Sequence, residues 1–184
     1  MPTQLEKERK FLIKLPSSWA DLAELFDSIV NIQRISQTYL VPHKGEQAVR
    51  IRETIEGMKG KTKTFFEFNQ KKPVETGVHQ EKEHKISEEE YHKLLVDADP
   101  QKCEVQKTRF LFKWHEQLFE LDVFKGHLKG LAILELEMKD IDDTIELPKF
   151  LKVIKEVTDD REYSNYSLAN KDLKNHETGH TSSD

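Results

Sequence analysis

Several strand-length stretches of this chain alternate apolar and charged residues, and the charged face of many of them carries a single sign. Side chains of a β-strand point alternately to its two faces, so residues i and i+2 share one. Val49-Arg50-Ile51-Arg52 therefore sets two arginines on one face and two aliphatics on the other. Lys107 and Arg109 oppose Thr108, Phe110 and Phe112; Glu120 and Asp122 oppose Phe119, Leu121 and Val123; Glu135 and Glu137 oppose Leu134, Leu136 and Met138. Glu67, Asn69 and Lys71 oppose Phe66 and Phe68, and Glu6, Glu8 and Lys10 share a face near the N-terminus. Lys7, Arg9, Lys82 and His84 fall on faces that are otherwise apolar.

The simplest home for such a pattern is a half-exposed antiparallel sheet with its charges in water. Like-charged neighbours gain nothing on an open sheet, however, whereas cross-strand pairs of opposite sign would help. About eight runs have ordinary strand length, near residues 4–14, 34–43, 46–56, 62–71, 78–86, 103–113, 117–124 and 131–139. That number can close a barrel with its apolar face outward and its charges inward. An interior crowded with Arg, Lys and carboxylate is costly unless something neutralises it. A polyphosphate with Mg2+ or Mn2+ would do so, the cation taking carboxylate and phosphate oxygens and the basic side chains the remaining phosphate charge.

Three helices are expected outside this sheet. Trp19, Leu22, Leu25, Phe26, Ile29 and Val30 recur at helical spacing after Ser17 or Ser18 as N-cap. Ser87-Glu88-Glu89-Glu90 opens a second helix as a capping box, burying Tyr91, Leu94 and Leu95. Pro148 near the first turn starts a third with Phe150, Leu151, Ile154 and Val157. Hairpin turns are expected at Gly57-Met58-Lys59-Gly60 and at Glu116-Gln117. With 184 residues, one domain over 1–170 and a polar, disordered tail over 171–184 account for the chain. The net charge of −5 argues against a nucleic-acid or acidic-membrane partner. Cys103 is the only cysteine, which excludes an intramolecular disulfide and a Cys-based zinc site. No apolar run approaches the ~18 residues of a membrane span and the N-terminus lacks a signal-peptide core, so a cytoplasmic protein is expected.

Seven motifs, in order, resemble the CYTH superfamily of triphosphate tunnel metalloenzymes. Glu6-Lys7-Glu8-Arg9-Lys10 is similar to its ExExK signature, Arg50-Ile51-Arg52 to its RxR strand and Glu81-Lys82-Glu83 to a central ExE. Lys107-Thr108-Arg109-Phe110 resembles KTR(Y/F), Glu120-Leu121-Asp122-Val123-Phe124 with Gly126 the ELDVF-x-G hairpin, and Glu135-Leu136-Glu137 the second ExE. Val157-Thr158 through Tyr163, Asn165, Leu168 and Ala169 resembles the family's closing segment, so the likeness runs over about residues 4–170. The resemblance implies an α+β, mainly β fold: a closed eight-stranded antiparallel barrel, or tunnel, with a charged interior and helices packed outside.

Carried over by motif position, Glu6, Glu8, Asp122, Glu135 and Glu137 match the carboxylates that ligate or orient the metal. Lys10, Arg50, Arg52, Lys71, Lys107 and Arg109 match the triphosphate cradle; alternation selects Lys71 over Lys72, which falls with Phe66 and Phe68. Glu81 and Glu83 match the central pair with a metal or water-positioning role, and Lys10 or a nearby carboxylate is the candidate base, so Lys10, Glu6, Glu8, Glu81 and Glu83 form the catalytic set. His79 stands where many members have Arg, and Glu162 precedes Tyr163 where a basic residue is common, with Arg161 next to it. The expected activity is Mg2+- or Mn2+-dependent hydrolysis of inorganic triphosphate, a small-molecule substrate, by a monomer or homodimer. Thiamine triphosphate hydrolysis, cyclisation of ATP to cyclic AMP and pyrophosphate, and non-catalytic polyphosphate binding are the alternatives. No aromatic-rich insertion offers itself to stack an organic ring, which favours the inorganic substrate.

Overall fold

A computed structural model describes residues 4–16, 18, 22–42, 48–58, 61–75, 78–139 and 143–172. The expected tail lies almost wholly outside the described residues, as do Ser17 and Trp19. The strands are β1 (Gln4–Lys14), β2 (Ile29–Leu40), β3 (Val49–Met58), β4 (Lys61–Glu75), β5 (Val78–Ile86), β6 (Val105–Trp114), β7 (Gln117–Phe124), β8 (Ala132–Glu137) and β9 (Lys152–Glu156). They form one nine-stranded antiparallel sheet in the order β5-β4-β3-β2-β6-β7-β8-β1-β9. β1 is shared between neighbours: Gln4–Lys7 pair with β5, Glu8–Leu12 with β8, and Phe11–Lys14 with β9.

The ninth strand corrects the third expected helix. Phe150, Leu151, Ile154 and Val157 have helical spacing, yet residues 152–156 run extended alongside β1. Val153 and Ile154 are β-branched and suit a strand, and Arg9 meets Glu156 there through two hydrogen bonds of 2.8 and 2.7 Å. Arg9, on an otherwise apolar face, thus finds its partner on the added strand.

Two further boundaries shift. Helix α1 covers only Ala23–Ser28 and has Leu22, not a serine, at its N-cap, without a side-chain cap bond. Ile29 and Val30 leave it and begin β2, where β-branched side chains are at home. The β6–β7 turn lies one residue earlier than expected, at His115 and Glu116, whose φ values of 44° and 62° are both positive; such a turn matches the twist of its flanking strands. In the β3–β4 hairpin Gly57 is sterically required, since a Cβ there would meet the Lys61 carbonyl oxygen at 2.8 Å.

Helix α2 (Glu88–Leu94) follows its sequence signal, the Ser87 hydroxyl accepting a 3.1 Å bond from the Glu90 N–H. Its Tyr91 ring packs 4.9 Å from that of Phe66, over the apolar cluster of Leu40, Val49 and Ile51. The largest core lies on the outer face of β1, β6, β7 and β8, where Phe11, Ile13, Phe112, Phe119, Leu121, Leu134 and Leu136 pack with Leu22 and Leu25. Each fully buried side chain of this type contributes roughly 1.5–3 kcal/mol. On the inner face of the same strands, Leu12, Val105, Phe124 and Ile133 join Tyr39, Leu168 and Ala169 in an apolar plug. No described helix is long and apolar enough to cross a membrane.

Candidate active site

The inner faces of the strands surround a cavity of about 430 Å3. Cationic side chains enter it from four strands: Lys10 from β1, Arg50 and Arg52 from β3, Lys71 from β4, Lys107 and Arg109 from β6, with Glu83 of β5 also in the wall. Glu8, Glu120, Glu135 and Glu137 complete its ionic lining. Register explains the convergence. Glu8 lies opposite Glu137 and Lys10 opposite Glu135 across β1 and β8, while Arg109 lies opposite Asp122 across β6 and β7. Strict two-residue periodicity then keeps each set on one face.

Lys10 Nζ lies 2.8 Å from Glu135 Oε1 and 3.3 Å from Glu8 Oε1, so one ammonium is shared between two carboxylates. Lys71 Nζ donates to the same Glu8 oxygen at 2.9 Å. Burial alone would raise the Glu8 pKa, but Lys10 and Lys71 outweigh both burial and the nearby Glu135 and bring it to about 2. Glu135 is likewise held well below the usual carboxylate range, burial being overcome by Lys10, Lys107 and Arg109. Glu120 moves the other way: burial raises it despite its ion pair with Arg109.

Asp122 stands behind this lining, with no exposed surface. Its Oδ1 accepts from Arg109 Nε at 2.7 Å, and its Oδ2 from Arg109 Nη2 at 2.7 Å and from Lys107 Nζ. On the far wall Arg52 donates to Glu67 at 2.8 Å and to Glu83 at 3.0 Å. Asn69 Nδ2 reaches the same Glu83 oxygen at 3.1 Å. Glu6 and Glu81 occupy backbone positions in β1 and β5, but their side chains, like those of Lys72 and His79, lie outside the described residues.

Several neighbours went unassigned in the sequence. Gln37 and Tyr39 on β2 are buried beside Arg50 and joined by a 3.0 Å bond from Gln37 Nε2 to the Tyr39 hydroxyl; two-residue alternation after Gln33 was the available signal. A second cavity, of about 490 Å3, adjoins the first and shares Glu8, Lys10, Arg50 and Lys71 with it. Tyr39, Tyr163 and Tyr166 line it, the last from α3 (Asn165–Leu168), and the Tyr39 and Tyr166 rings meet edge-on at 5.2 Å. Arg161 lines the same space. These aromatics come from distant parts of the chain, so no local run announces them.

A profile of the CYTH domain matches residues 4–171. The chain belongs to the CYTH family. An inorganic triphosphatase from Nitrosomonas europaea is 45% identical over 69 residues, a stretch covering 35% of this chain and 44% of that protein. The chain thus aligns with less than half the length of this curated relative. A crystal structure of an inorganic triphosphatase superposes with a TM-score of 0.55 at 27% identity, covering 89% of this chain and 97% of that one. A Hippeastrum protein named for adenylyl cyclase, with a dominant triphosphatase activity, shares the fold at TM-score 0.53 and 16% identity, over 73% of this chain and 80% of its own.

The donor set of this CYTH domain fits a hard divalent cation. Glu8, Glu135 and Glu137 present carboxylate oxygens to one cavity, the donor type that Mg2+ and Mn2+ prefer. Glu8 and Glu135 are close enough to repel each other electrostatically, and Lys10 serves as their shared counter-ion. Among the described residues no three carboxylate, histidine or cysteine side chains are already drawn together as a metal cluster. The carboxylates are instead spread among the basic residues that a polyphosphate would engage.

Proposed function

We propose that this CYTH domain hydrolyses the terminal phosphoanhydride of inorganic triphosphate with Mg2+ or Mn2+, in a tunnel lined by the charged faces of its strands. The observation that carries this reading is the set of six basic side chains around one cavity, interleaved with carboxylates on the same faces. A pure anion-binding site would gain nothing from so many acids facing its ligand. The match to a protein named inorganic triphosphatase, found both by sequence and by structure, supports the choice of substrate.

In this reading Lys10, Arg50, Arg52, Lys71, Lys107 and Arg109 hold the phosphate oxygens. Glu8, Glu135 and Glu137, with Glu6 by its motif position, hold the cation. A cation held by these carboxylates would supply neutralisation of charge on the phosphoryl oxygens. Water adds in line to the terminal phosphorus, the P–O anhydride bond breaks, and orthophosphate and pyrophosphate leave. The water's proton passes to a cavity carboxylate. Glu83, anchored by Arg52 and Asn69, orients water, with Glu81 assigned the same role by its motif position. Fixed cationic donors lower the barrier because they need no reorganisation as charge develops.

A second reading has its own observation. The tyrosine-lined cavity next to the charged one would hold an aromatic group attached to a triphosphate. Incubation with inorganic triphosphate, thiamine triphosphate and ATP, each with Mg2+, Mn2+ or EDTA, separates the two. Orthophosphate released fastest from inorganic triphosphate and stopped by EDTA supports the first reading. A preference for either organic substrate supports the second, with cyclic AMP marking cyclisation. Binding without turnover removes the enzyme altogether.

A further inference from the structure

The sequence resemblance sets Asp122 among the metal ligands, but its surroundings differ from those of the other acids. Glu120, two residues away on the same strand face, and Glu135 on β8 both line the cavity, whereas Asp122 has no exposed surface. Both of its oxygens are already used, Oδ1 on Arg109 Nε at 2.7 Å and Oδ2 on Arg109 Nη2 at 2.7 Å and on Lys107 Nζ. This is the forked arrangement in which a carboxylate fixes both the position and the plane of a guanidinium. A divalent cation on Asp122 would be set against two buried cationic heads, and one of them would have to leave. Lys107 spends one of its three donors on Asp122 and still borders the cavity, as does Arg109.

We propose that Asp122 is a positioning residue that clamps Lys107 and Arg109 from behind, and that the divalent cation is held without it. The inference rests on the reading of Lys107 and Arg109 as part of the triphosphate cradle. Removing the clamp leaves Arg109 held from the cavity side alone, by Glu135 and Glu120, and takes from Lys107 its Asp122 partner, so the loss falls on phosphate binding and not on metal binding.

Two equilibrium measurements separate these roles without turnover: Mn2+ binding to the substrate-free protein by electron paramagnetic resonance, and inorganic triphosphate binding in EDTA by calorimetry. Asp122→Asn is expected to keep Mn2+ affinity within about threefold and to weaken triphosphate about tenfold or more, as loss of a charged hydrogen-bond anchor does. Glu137→Gln is expected to show the reverse, losing about tenfold or more in Mn2+ affinity. In turnover assays Asp122→Asn should raise KM while leaving the Mn2+ concentration for half-activation unchanged. A purely structural role would move none of these in the folded protein. If Asp122→Asn does not fold, Lys107→Met with Asp122→Asn removes the buried pair together, a change that proteins often tolerate, and it too should retain Mn2+. Loss of Mn2+ affinity in either variant, with wild-type protein binding both ligands, overturns the clamp alone. Wild-type protein that binds neither ligand overturns the triphosphate reading and the clamp with it.

Discussion

The cavity wall made by β1, β6, β7 and β8 carries a deeply buried ionic cluster, whereas the Arg52–Glu67–Glu83 network on the wall made by β3, β4 and β5 is partly wet. Asp122, Lys107, Glu8 and Glu135 are 0%, 3%, 5% and 8% exposed. In the Arg52–Glu67–Glu83 network the side chains are 18%, 15% and 38% exposed. The apolar layers behind the walls differ in the same sense: a broad core with Phe112, Phe119, Leu121 and Leu134 fully buried lies behind the first, and a smaller cluster under α2 lies behind the second. Burial decides what an ion pair can do. In the first wall's cluster, Asp122, Lys107, Glu8 and Glu135 cannot lose a partner without being stranded in low dielectric, so that cluster is rigid and preorganised. On the second, water can replace a lost partner, and the same residue types are free to adjust to a ligand.

Substitutions can break this contrast or sharpen it. Phe119→Ala, behind the rigid wall, should lose about 3–5 kcal/mol in a denaturant titration, and half-buried Phe68→Ala, behind the wet wall, about half as much; equal losses would remove the distinction. Lys10→Met takes the shared counter-ion from Glu8 and Glu135 and should lower kcat by about 100-fold or more. Arg52→Gln, on the wet wall, should instead raise KM by roughly tenfold, with a stability change below about 1 kcal/mol.

Acid should act on the rigid wall first. Glu8 titrates at about 2 in the folded protein against a reference value of 4.5, and Glu135 is also held low. A depressed carboxylate stabilises the fold above its unfolded pKa and loses that contribution as pH falls towards the folded value. Stability measured from pH 5 down to about 2.5 should therefore decline, and Glu8→Gln should flatten the decline. The smallest effect is expected outside the cavity. Arg9 and Glu156 form an ion pair whose side chains are 28% and 40% exposed, so Arg9→Ala should cost at most about 1 kcal/mol.

What could be read from the sequence was what period two encodes. Arg50 with Arg52, Lys107 with Arg109 and Glu135 with Glu137 share faces because their spacing alone decides it, and the same parity points Lys71 into the cavity, where it meets Glu8. The capped start of α2 was equally local. The misreadings came where local spacing competed with distant partners. Residues 150–157 have helical spacing, yet the edge of β1 and the Arg9–Glu156 pair draw 152–156 into a strand. Ile29 and Val30 continue a helical stripe but are claimed by the ladder with β6. The tyrosine-lined cavity joins residues 39, 163 and 166, which no local pattern connects. Asp122 carries the motif position of a metal ligand, and only the folded arrangement shows both of its oxygens on Lys107 and Arg109.

The most direct test of the account is 31P NMR of inorganic triphosphate incubated with the protein and Mg2+, before and after EDTA. The account predicts orthophosphate and pyrophosphate appearing in equal amounts, halting when EDTA is added and resuming when Mg2+ or Mn2+ is restored in excess. Triphosphate that stays intact with either cation, or a cleavage that EDTA leaves unchanged, would contradict it.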